Sequence, residues 1–182
     1  KMFPKHILVL GLTTMAIISS TALAEEKIVR IAPKPDIQFE VQEALILAES
    51  GTVIEFGEGR YDFTMGLSLD APNVTLRGAG MDKTFFSFKN QDAGSEGLLV
   101  TSDHVTLEDF TLEDTKGNGM KSSEADHLVL RRVKAQWTGG SKSTNGGYGL
   151  YPVFSKNVLV EECVAIGASD AGIYIGQSEN VI

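Results

Sequence analysis

A short motif recurs along this chain from residue 73 onward, and it limits the folds that are open to the chain. An Asn or His precedes apolar and β-branched residues in NVTL at 73, HVTL at 104, HLVL at 127, NVLV at 157 and NVI at 180. The spacings are 31, 23, 30 and 23 residues, which indicates one repeat lengthened in places by loop insertions. A second series keeps the same order: GLLV at 97, GMKS at 119, GLYP at 149 and GIYI at 172. Short strands joined by tight polar turns at this period predict a parallel β-helix.

Each repeat is expected to hold three strands, of which the GIYI type is the first, the NVLV type the second, and a third follows after one turn residue. Side chains alternate between the two faces of a strand, so every second residue should point inward. No repeat can bury its apolar face alone, and stacking must supply the core. The predicted inward residues are Val105, Leu107, Phe110, Leu112, Leu128, Leu130, Val133, Ala135, Val158, Val160, Cys163 and Ala165.

The segment before the repeats predicts a helix that closes one end of the stack. An open end would expose apolar core and unpaired strand edge, so a cap is physically required. We expect residues 25–52 to form an N-terminal linker and capping helix, and residues 53–182 to form the β-helix coils. The chain also stops within an apolar run, and we interpret it as the N-terminal fragment of a longer protein. The predicted apolar side of the helix consists of Phe39, Ala44, Leu45, Leu47 and Ala48.

Residues 1–24 have the pattern of a signal peptide. Lys1 and Lys5 precede an apolar run over 7–18 that is too short to span a bilayer, and the segment closes on Ala22, Leu23 and Ala24. We therefore expect an exported protein, periplasmic or extracellular, with no membrane span. Without this segment 14 basic residues face 24 acidic ones, a net charge of −10, which argues against a nucleic-acid partner. The sequence does not predict the oligomeric state.

The repeats also carry a family resemblance. IQ at 37, followed by spaced Ala, Gly and Ile residues up to Tyr61, then NVTLRGAG at 73 and DAGIYIG at 170, resembles the pectate lyase-like superfamily of right-handed parallel β-helix proteins. It looks most similar to the bacterial exported right-handed β-helix repeat proteins. The resemblance covers residues 36–182, and its motifs specify fold more than function. It implies an all-β fold, a right-handed parallel β-helix (solenoid) with a short N-terminal capping α-helix.

Charged residues recur at one outward position of the second strand. Arg77, Glu108, Arg131 and Glu161 should stack, with Asp109, Arg132 and Glu162 beside them. Carboxylates in such a column could serve acid–base chemistry. Because the signs alternate, we favour a ladder of ion pairs that fixes the strand register.

Two Asp-His pairs occupy the turn before the second strand. Asp103-His104 and Asp126-His127 should lie in adjacent repeats, and these four side chains are weak candidates for a metal site. Asn73 and other asparagines fill the same place elsewhere, which favours a position that needs a turn-forming side chain.

The outward face of the first strand is the best candidate for a ligand surface. It should present Leu99, Lys121, Tyr151 and Tyr174 in one column, and the two tyrosines could stack on sugar rings or simply shield the sheet. Long Gly-, Ser- and Thr-rich loops lead into this strand, where binding residues usually concentrate. The loop residues expected to bind ligand are Trp137, Asp114, Lys142 and Asp170, with Lys116 also at the rim.

In the family that the chain resembles, lyases remove the proton beside a uronate carboxylate, which Ca²⁺ or a Lys or Arg neutralises. That resemblance implies Lys121 as neutralising group, Tyr151 or Tyr174 as base or acid, and Ca²⁺ as a candidate cofactor. The acidic Ca²⁺ cluster of pectate lyases, the Asp/His/Arg set of alginate epimerases and the paired aspartates of polygalacturonases are not recognisable. We expect a protein that binds or modifies an oligosaccharide or polysaccharide, by elimination or epimerisation if it is an enzyme. A non-catalytic binding scaffold and a metal-handling accessory protein, like the copper-linked β-helix proteins, are the alternatives.

Overall fold

Fifteen β-strands and one α-helix make up residues 27–182, the part of the chain that the computed structural model describes. The predicted signal peptide falls on residues outside this part. The helix is α1 (Gln38–Ile46). The strands are β1 (Lys27–Ile31), β2 (Thr52–Phe56), β3 (Gly59–Asp62), β4 (Met65–Leu69), β5 (Thr75–Arg77), β6 (Thr84–Ser87), β7 (Ala93–Val100), β8 (Thr106–Glu113), β9 (Met120–Ser123), β10 (Asp126–Gln136), β11 (Tyr148–Val153), β12 (Lys156–Glu161), β13 (Val164–Ile166), β14 (Ala171–Ile173) and β15 (Glu179–Val181).

The strands form two sheets in which the paired strands run parallel. The larger sheet has the order β1-β2-β5-β8-β10-β12-β15, with β6 on β8, β3 on β6 and β13 on β10. The smaller has the order β4-β7-β9-β11-β14. Neighbours in a sheet are separated in sequence by other strands, or by α1 in the case of β1 and β2, as parallel pairing requires. The fold is therefore nearly all-β, with parallel sheets and one short helix.

The register of the larger sheet follows the sequence repeat. Leu76 pairs with Leu107, and Leu107 pairs with Leu130, which are 31 and 23 residues apart in the chain. The inward residues predicted on β8 and β10 are all buried, and Val158 on β12 is buried too. Val160 and Cys163 are partly buried against the core. The predicted spacing is thus confirmed as strand register.

Residues with a left-handed backbone recur at equivalent places and explain the turn chemistry. Asn73, His104, His127, Asn157 and Asn180, the first residues of the recurring motif, have φ between 51° and 57°. Asn and His tolerate this conformation better than most residues with a side chain.

A second series of left-handed residues changes the predicted strand count. Asp109 and Arg132 have φ of 65° and 50°, and each lies inside one long strand, β8 or β10. The second and third strands predicted for these repeats are therefore one strand with a bend at the expected turn residue.

Helix α1 buries part of its predicted apolar side and exposes the rest. Leu45 is buried, and Ala44 and Ala48 pack against the core as predicted. Phe39 and Leu47, also expected to face inward, are 76% and 68% exposed, whereas Val41 is buried. Two glutamines explain this orientation. Gln38 accepts hydrogen bonds from the N–H groups of residues 64 and 65 through its Oε1, at 3.1 and 3.0 Å, and Gln42 bonds both the N–H and the carbonyl of Ser68, at 3.0 and 2.9 Å. Because β4 is the edge strand of the smaller sheet, these side chains satisfy backbone groups that no strand pairs.

Candidate functional site

The column predicted on the first strand lies on the smaller sheet. Leu99 of β7, Lys121 of β9 and Tyr151 of β11 are register partners. Tyr174 follows β14, where its N–H donates to the carbonyl of Leu150 at 3.0 Å and its ring centre lies 5.5 Å from that of Tyr151. The structure therefore brings Lys121, Tyr151 and Tyr174 together.

Tyr148 belongs to the same cluster, although strand alternation does not predict it. Its ring centre lies 4.6 Å from that of Tyr151 and 4.8 Å from that of the third tyrosine. Residues three apart in a regular strand face opposite sides. Here Leu150 is buried, and a Cβ on Gly149 would meet the Cβ of Ala165 at 3.0 Å, so two successive residues face inward. The glycine within YGLY is the sequence signal for this irregularity. We call Lys121, Tyr148, Tyr151 and Tyr174 the tyrosine face.

Lys121 is positioned against the aromatic rings of this face. Its Nζ lies 5.8 Å from the ring centre of Tyr151, within the range of a cation–π contact. The side chain is half-buried, and it forms no ion pair with any residue in 27–182. Its charge is therefore available to an anionic ligand.

Asp170 bonds the tyrosine that sequence reasoning missed. Its hydrogen bond with Tyr148 raises the pKa of that phenol, and partial burial and the carboxylate charge raise it further. The backbone N–H of Asp170 donates to the carbonyl of Gly147 at 3.1 Å, which holds the loop beside the tyrosine face. The phenol of Tyr148 therefore keeps its proton to a higher pH than an ordinary tyrosine does.

A cleft of about 530 Å³ gathers three of the four predicted ligand-binding residues. We call it the lysine cleft. Asp114, Trp137 and Lys142 line it, together with Lys89, which sequence reasoning did not single out. The remaining lining residues are Thr115, Thr138, Gly139, Thr144 and Asn145.

Two of the predicted ligand-binding residues shape the lysine cleft more than they offer free groups. Trp137 is only 6% exposed, and its Nε1 donates to the carbonyl of Thr115 at 2.8 Å. Both carboxylate oxygens of Asp114 accept bonds from Thr138, one from its N–H and one from its hydroxyl, each at 2.7 Å. Lys142 and Lys89 are exposed. Among the charged groups of the cleft, the two lysines are therefore the ones that can meet a ligand directly.

The cations of residues 27–182 divide into two groups. Ten form ion pairs with carboxylates of the same chain. Within those residues, the four cations without an ion pair are Lys89, Lys116, Lys121 and Lys142. Three of them lie in the connections that lead into β7, β9 and β11, and the fourth lies on β9. All unpaired positive charge of the described chain is thus on or beside the smaller sheet.

The alternating charges predicted on the second strand pair as a ladder. Arg77 Nε lies 2.7 Å from Glu108, and Arg131 Nε lies 2.7 Å from Glu161. Beside them, Arg132 makes two hydrogen bonds of 2.6 and 2.8 Å to its aspartate partner. Because each carboxylate has a cation next to it, the interpretation as a ladder is confirmed. The members in order are Arg30, Glu55, Arg77, Glu108, Arg131 and Glu161, with Asp109, Arg132 and Glu162 alongside.

The two Asp-His pairs are adjacent, and their contacts are those of a turn. The rings of His104 and His127 stack with centres 4.6 Å apart and planes 4° from parallel. Asp103 accepts a bond from the N–H of Asp126 at 2.8 Å, and Asp126 accepts one from Asn157 at 2.7 Å, which lowers the pKa of Asp126. Stacked rings present faces to each other, and their nitrogens do not converge. Across residues 27–182, no three His, Cys, Asp or Glu side chains are grouped to hold a metal ion.

Comparison with known proteins finds similarity at the level of structure. No protein-family model and no curated protein sequence matches this chain. The chain is similar to the crystal structure of an alginate lyase from Paenibacillus sp. str. FPU-7, with a TM-score of 0.60 and 16% sequence identity. The match covers 85% of this chain and 64% of the other, so this chain spans less than two thirds of that protein's length. At this identity the similarity shows a shared fold. No helix in residues 27–182 is both long and apolar enough to cross a membrane.

Proposed function

We propose that this chain is an exported right-handed parallel β-helix protein that binds acidic polysaccharide at the tyrosine face and cleaves it by β-elimination. Its domains would be a signal peptide over 1–24, a linker and capping helix over 25–52, and coils over 53–182. Parallel pairing between residues one repeat apart supports the β-helix, as do left-handed residues at recurring positions. The alginate lyase among its structural neighbours, a member of the same kind of fold, supplies the reaction to test.

The observation that carries this proposal is the position of the unpaired lysines. The described chain pairs its other cations internally, yet it leaves four lysines unpaired on or beside the smaller sheet, which also carries the three clustered tyrosines, and one of the four, Lys121, lies against a tyrosine ring. Tyrosine rings stack on the apolar faces of sugars, and ammonium groups bind carboxylates. The combination favours a polymer that has both sugar rings and acidic groups.

Elimination needs three functions, and the tyrosine face can supply each. A base removes the proton from the carbon beside the uronate carboxylate, and a cation stabilises the negative charge that develops there. The electron pair then forms a carbon–carbon double bond as the glycosidic C–O bond breaks, and the leaving oxygen takes a proton. Lys121 suits the cation, and Tyr151 or Tyr174 suits the base. Tyr148 is the candidate proton donor, because its phenol carries a proton and lies within the same cluster of rings.

Ca²⁺, the other neutralising group that the family resemblance implies, does not fit the residues present in 27–182. No group of three acidic or histidine side chains is arranged around a common point there. Asp114, which is close to the lysines, already accepts two hydrogen bonds from Thr138. We therefore assign carboxylate neutralisation to Lys121 and derive no step through Ca²⁺.

Two substitutions test the assignment of roles. Lys121→Ala and Tyr151→Phe should each lower turnover of a polyuronide by at least about 100-fold, the range of a lost acid–base or electrostatic group. Lys156→Ala is the matched control, because this exposed lysine pairs with Glu179 on the larger sheet. Circular dichroism should show an unchanged fold in all three. If both variants retain full turnover, the tyrosine face is not the catalytic site. Binding without turnover in the wild type would instead indicate a scaffold.

A further inference from the structure

The lysine cleft is a second candidate site, separate from the tyrosine face. We propose that it is a preformed subsite that binds the carboxylate of one uronate unit in an anionic oligosaccharide. The class of ligand rests on the proposed function, but the subsite itself is argued from the cleft's own charge and rigidity.

The charge of the lysine cleft favours an anion. Lys89 and Lys142 line it, and neither forms an ion pair within residues 27–182. Asp114 is the one carboxylate among the lining residues, and Thr138 occupies both of its oxygens with an N–H and a hydroxyl donor. The hydroxyl of Thr144 adds a neutral donor at the wall. The lining is therefore positive on balance and rich in donors, which suits a carboxylate.

The two lysines reach the lysine cleft from two different connections of the chain. Lys89 follows β6 and Lys142 follows β10, and both strands pair with β8, one on each side of it. Because both lysines line the same cleft, their flexible side chains can meet one acidic group bound there.

The walls of the lysine cleft are held in place by the surrounding backbone. Asn145 donates from its side chain to the carbonyls of Gly140 and Gly167, at 2.9 and 2.6 Å, which fastens the loop to the next connection. A Cβ on Gly146 would come within 1.6 Å of the Gly117 carbonyl oxygen, so the two loops are packed backbone against backbone. Trp137 is fixed beneath them by its indole N–H. Binding therefore needs little ordering of the loop, which favours affinity.

The position of the cleft predicts how a polymer would be bound. The loop that carries Lys142 leads directly into β11, which carries Tyr148 and Tyr151. Once an oligosaccharide is bound at one site, its contact with the other site forms within the same complex, at a high effective concentration, and so strengthens binding. Longer acidic oligosaccharides should therefore bind more tightly than a disaccharide, and that gain should depend on the two cleft lysines.

Calorimetric titration with oligoguluronate and oligogalacturonate of six units tests the subsite on the full-length protein. Lys89→Ala with Lys142→Ala should raise Kd by at least about tenfold, because each lysine loses a charge-assisted hydrogen bond. The matched control is Lys34→Ala with Lys156→Ala, which removes the same charge from exposed lysines elsewhere and should change Kd by no more than about twofold. Neutral cellohexaose should bind no more weakly to the double variant than to the wild type.

The outcomes separate this proposal from the catalytic one. A tenfold loss in the cleft variant but not in the control supports the subsite, whether or not any polymer is cleaved. Tyr151→Phe, which tests catalysis, should leave this loss intact. Equal Kd values for wild type and cleft variant would overturn the subsite, and so would equal losses in cleft and control variants. Absence of binding by the wild type to both acidic probes would overturn it as well.

Discussion

Replacement of Gln42 should destabilise the fold although it removes no apolar contact of the core. The side chain makes two hydrogen bonds to the backbone of Ser68, at 3.0 and 2.9 Å, on the edge strand β4. Each such bond contributes about 1 kcal/mol net. Because Gln42 is half-buried, water can replace some of the lost hydrogen bonding to Ser68. We therefore expect Gln42→Ala to lower the free energy of unfolding by about 1–2 kcal/mol.

Urea unfolding followed by the fluorescence of Trp137 provides the assay. Glu43→Ala is the matched control, because Glu43 is the exposed neighbour on the same helix and the change brings a similar gain in helix propensity. Gln42→Glu adds a sharper test. Its carboxylate cannot donate to the Ser68 carbonyl at pH 7, whereas the protonated acid below about pH 4 can. Relative to wild type, this variant should be destabilised at pH 7 and recover in acid.

A Gln42→Ala variant within about 0.3 kcal/mol of the Glu43→Ala control would refute the reasoning. The hydrogen bonds between Gln42 and the edge strand β4 would then not stabilise the fold. The exposed Phe39 side of α1 would need another explanation as well, because the orientation of the helix was attributed to these bonds.

Three further predictions concern the loops and the titrating groups. Gly146→Ala should lower the free energy of unfolding by at least about 3 kcal/mol, because its Cβ would overlap a neighbouring backbone oxygen. Gly140→Ala, at a position with φ of 78° and open space around it, should lower it by only about 1 kcal/mol in the same urea unfolding assay. Asp170→Asn should lower the pKa of Tyr148, because the carboxylate that raises it is gone, and an ultraviolet titration assigned with Tyr148→Phe measures the change. In the wild type, the raised pKa contributes stability that is fully present below the ordinary tyrosine pKa and is lost as pH rises through the raised value. The lowered pKa of Asp126 contributes stability that is present above the pKa of this group in the unfolded chain and is lost as pH falls through its pKa in the folded chain. The free energies of unfolding of Asp126→Asn and wild type should therefore differ near neutral pH and converge in acid.

Much of the framework could be predicted from the sequence because stacking imposes a simple rule. When identical positions lie one strand spacing apart, the repeat fixes the register, and the alternation of side chains fixes what is buried. Leu107 and Leu130 follow this rule, as does the alternation of Arg77 and Glu108 along the ladder. Lys121 and Tyr151 are neighbours for the same reason.

The features that were missed depend on contacts that periodicity does not contain. Polar Gln38 is buried because it bonds an unpaired strand edge, so hydrophobicity alone wrongly placed Phe39 and Leu47 inward. Tyr148 joins the tyrosine face only because Gly149 lets two successive residues point inward. Trp137 and Asp114 were placed correctly at the loops, but their polar atoms are taken up by partners that only the folded loops bring near.

The most direct test of the account is the ultraviolet absorbance of unsaturated uronate when the purified protein is mixed with a panel of polyuronides, with and without added Ca²⁺. We predict a rising signal on at least one polymer, independent of Ca²⁺ and abolished by Tyr151→Phe. A flat trace on every polymer would contradict elimination at the tyrosine face. A signal that requires Ca²⁺ would contradict the assignment of charge neutralisation to Lys121.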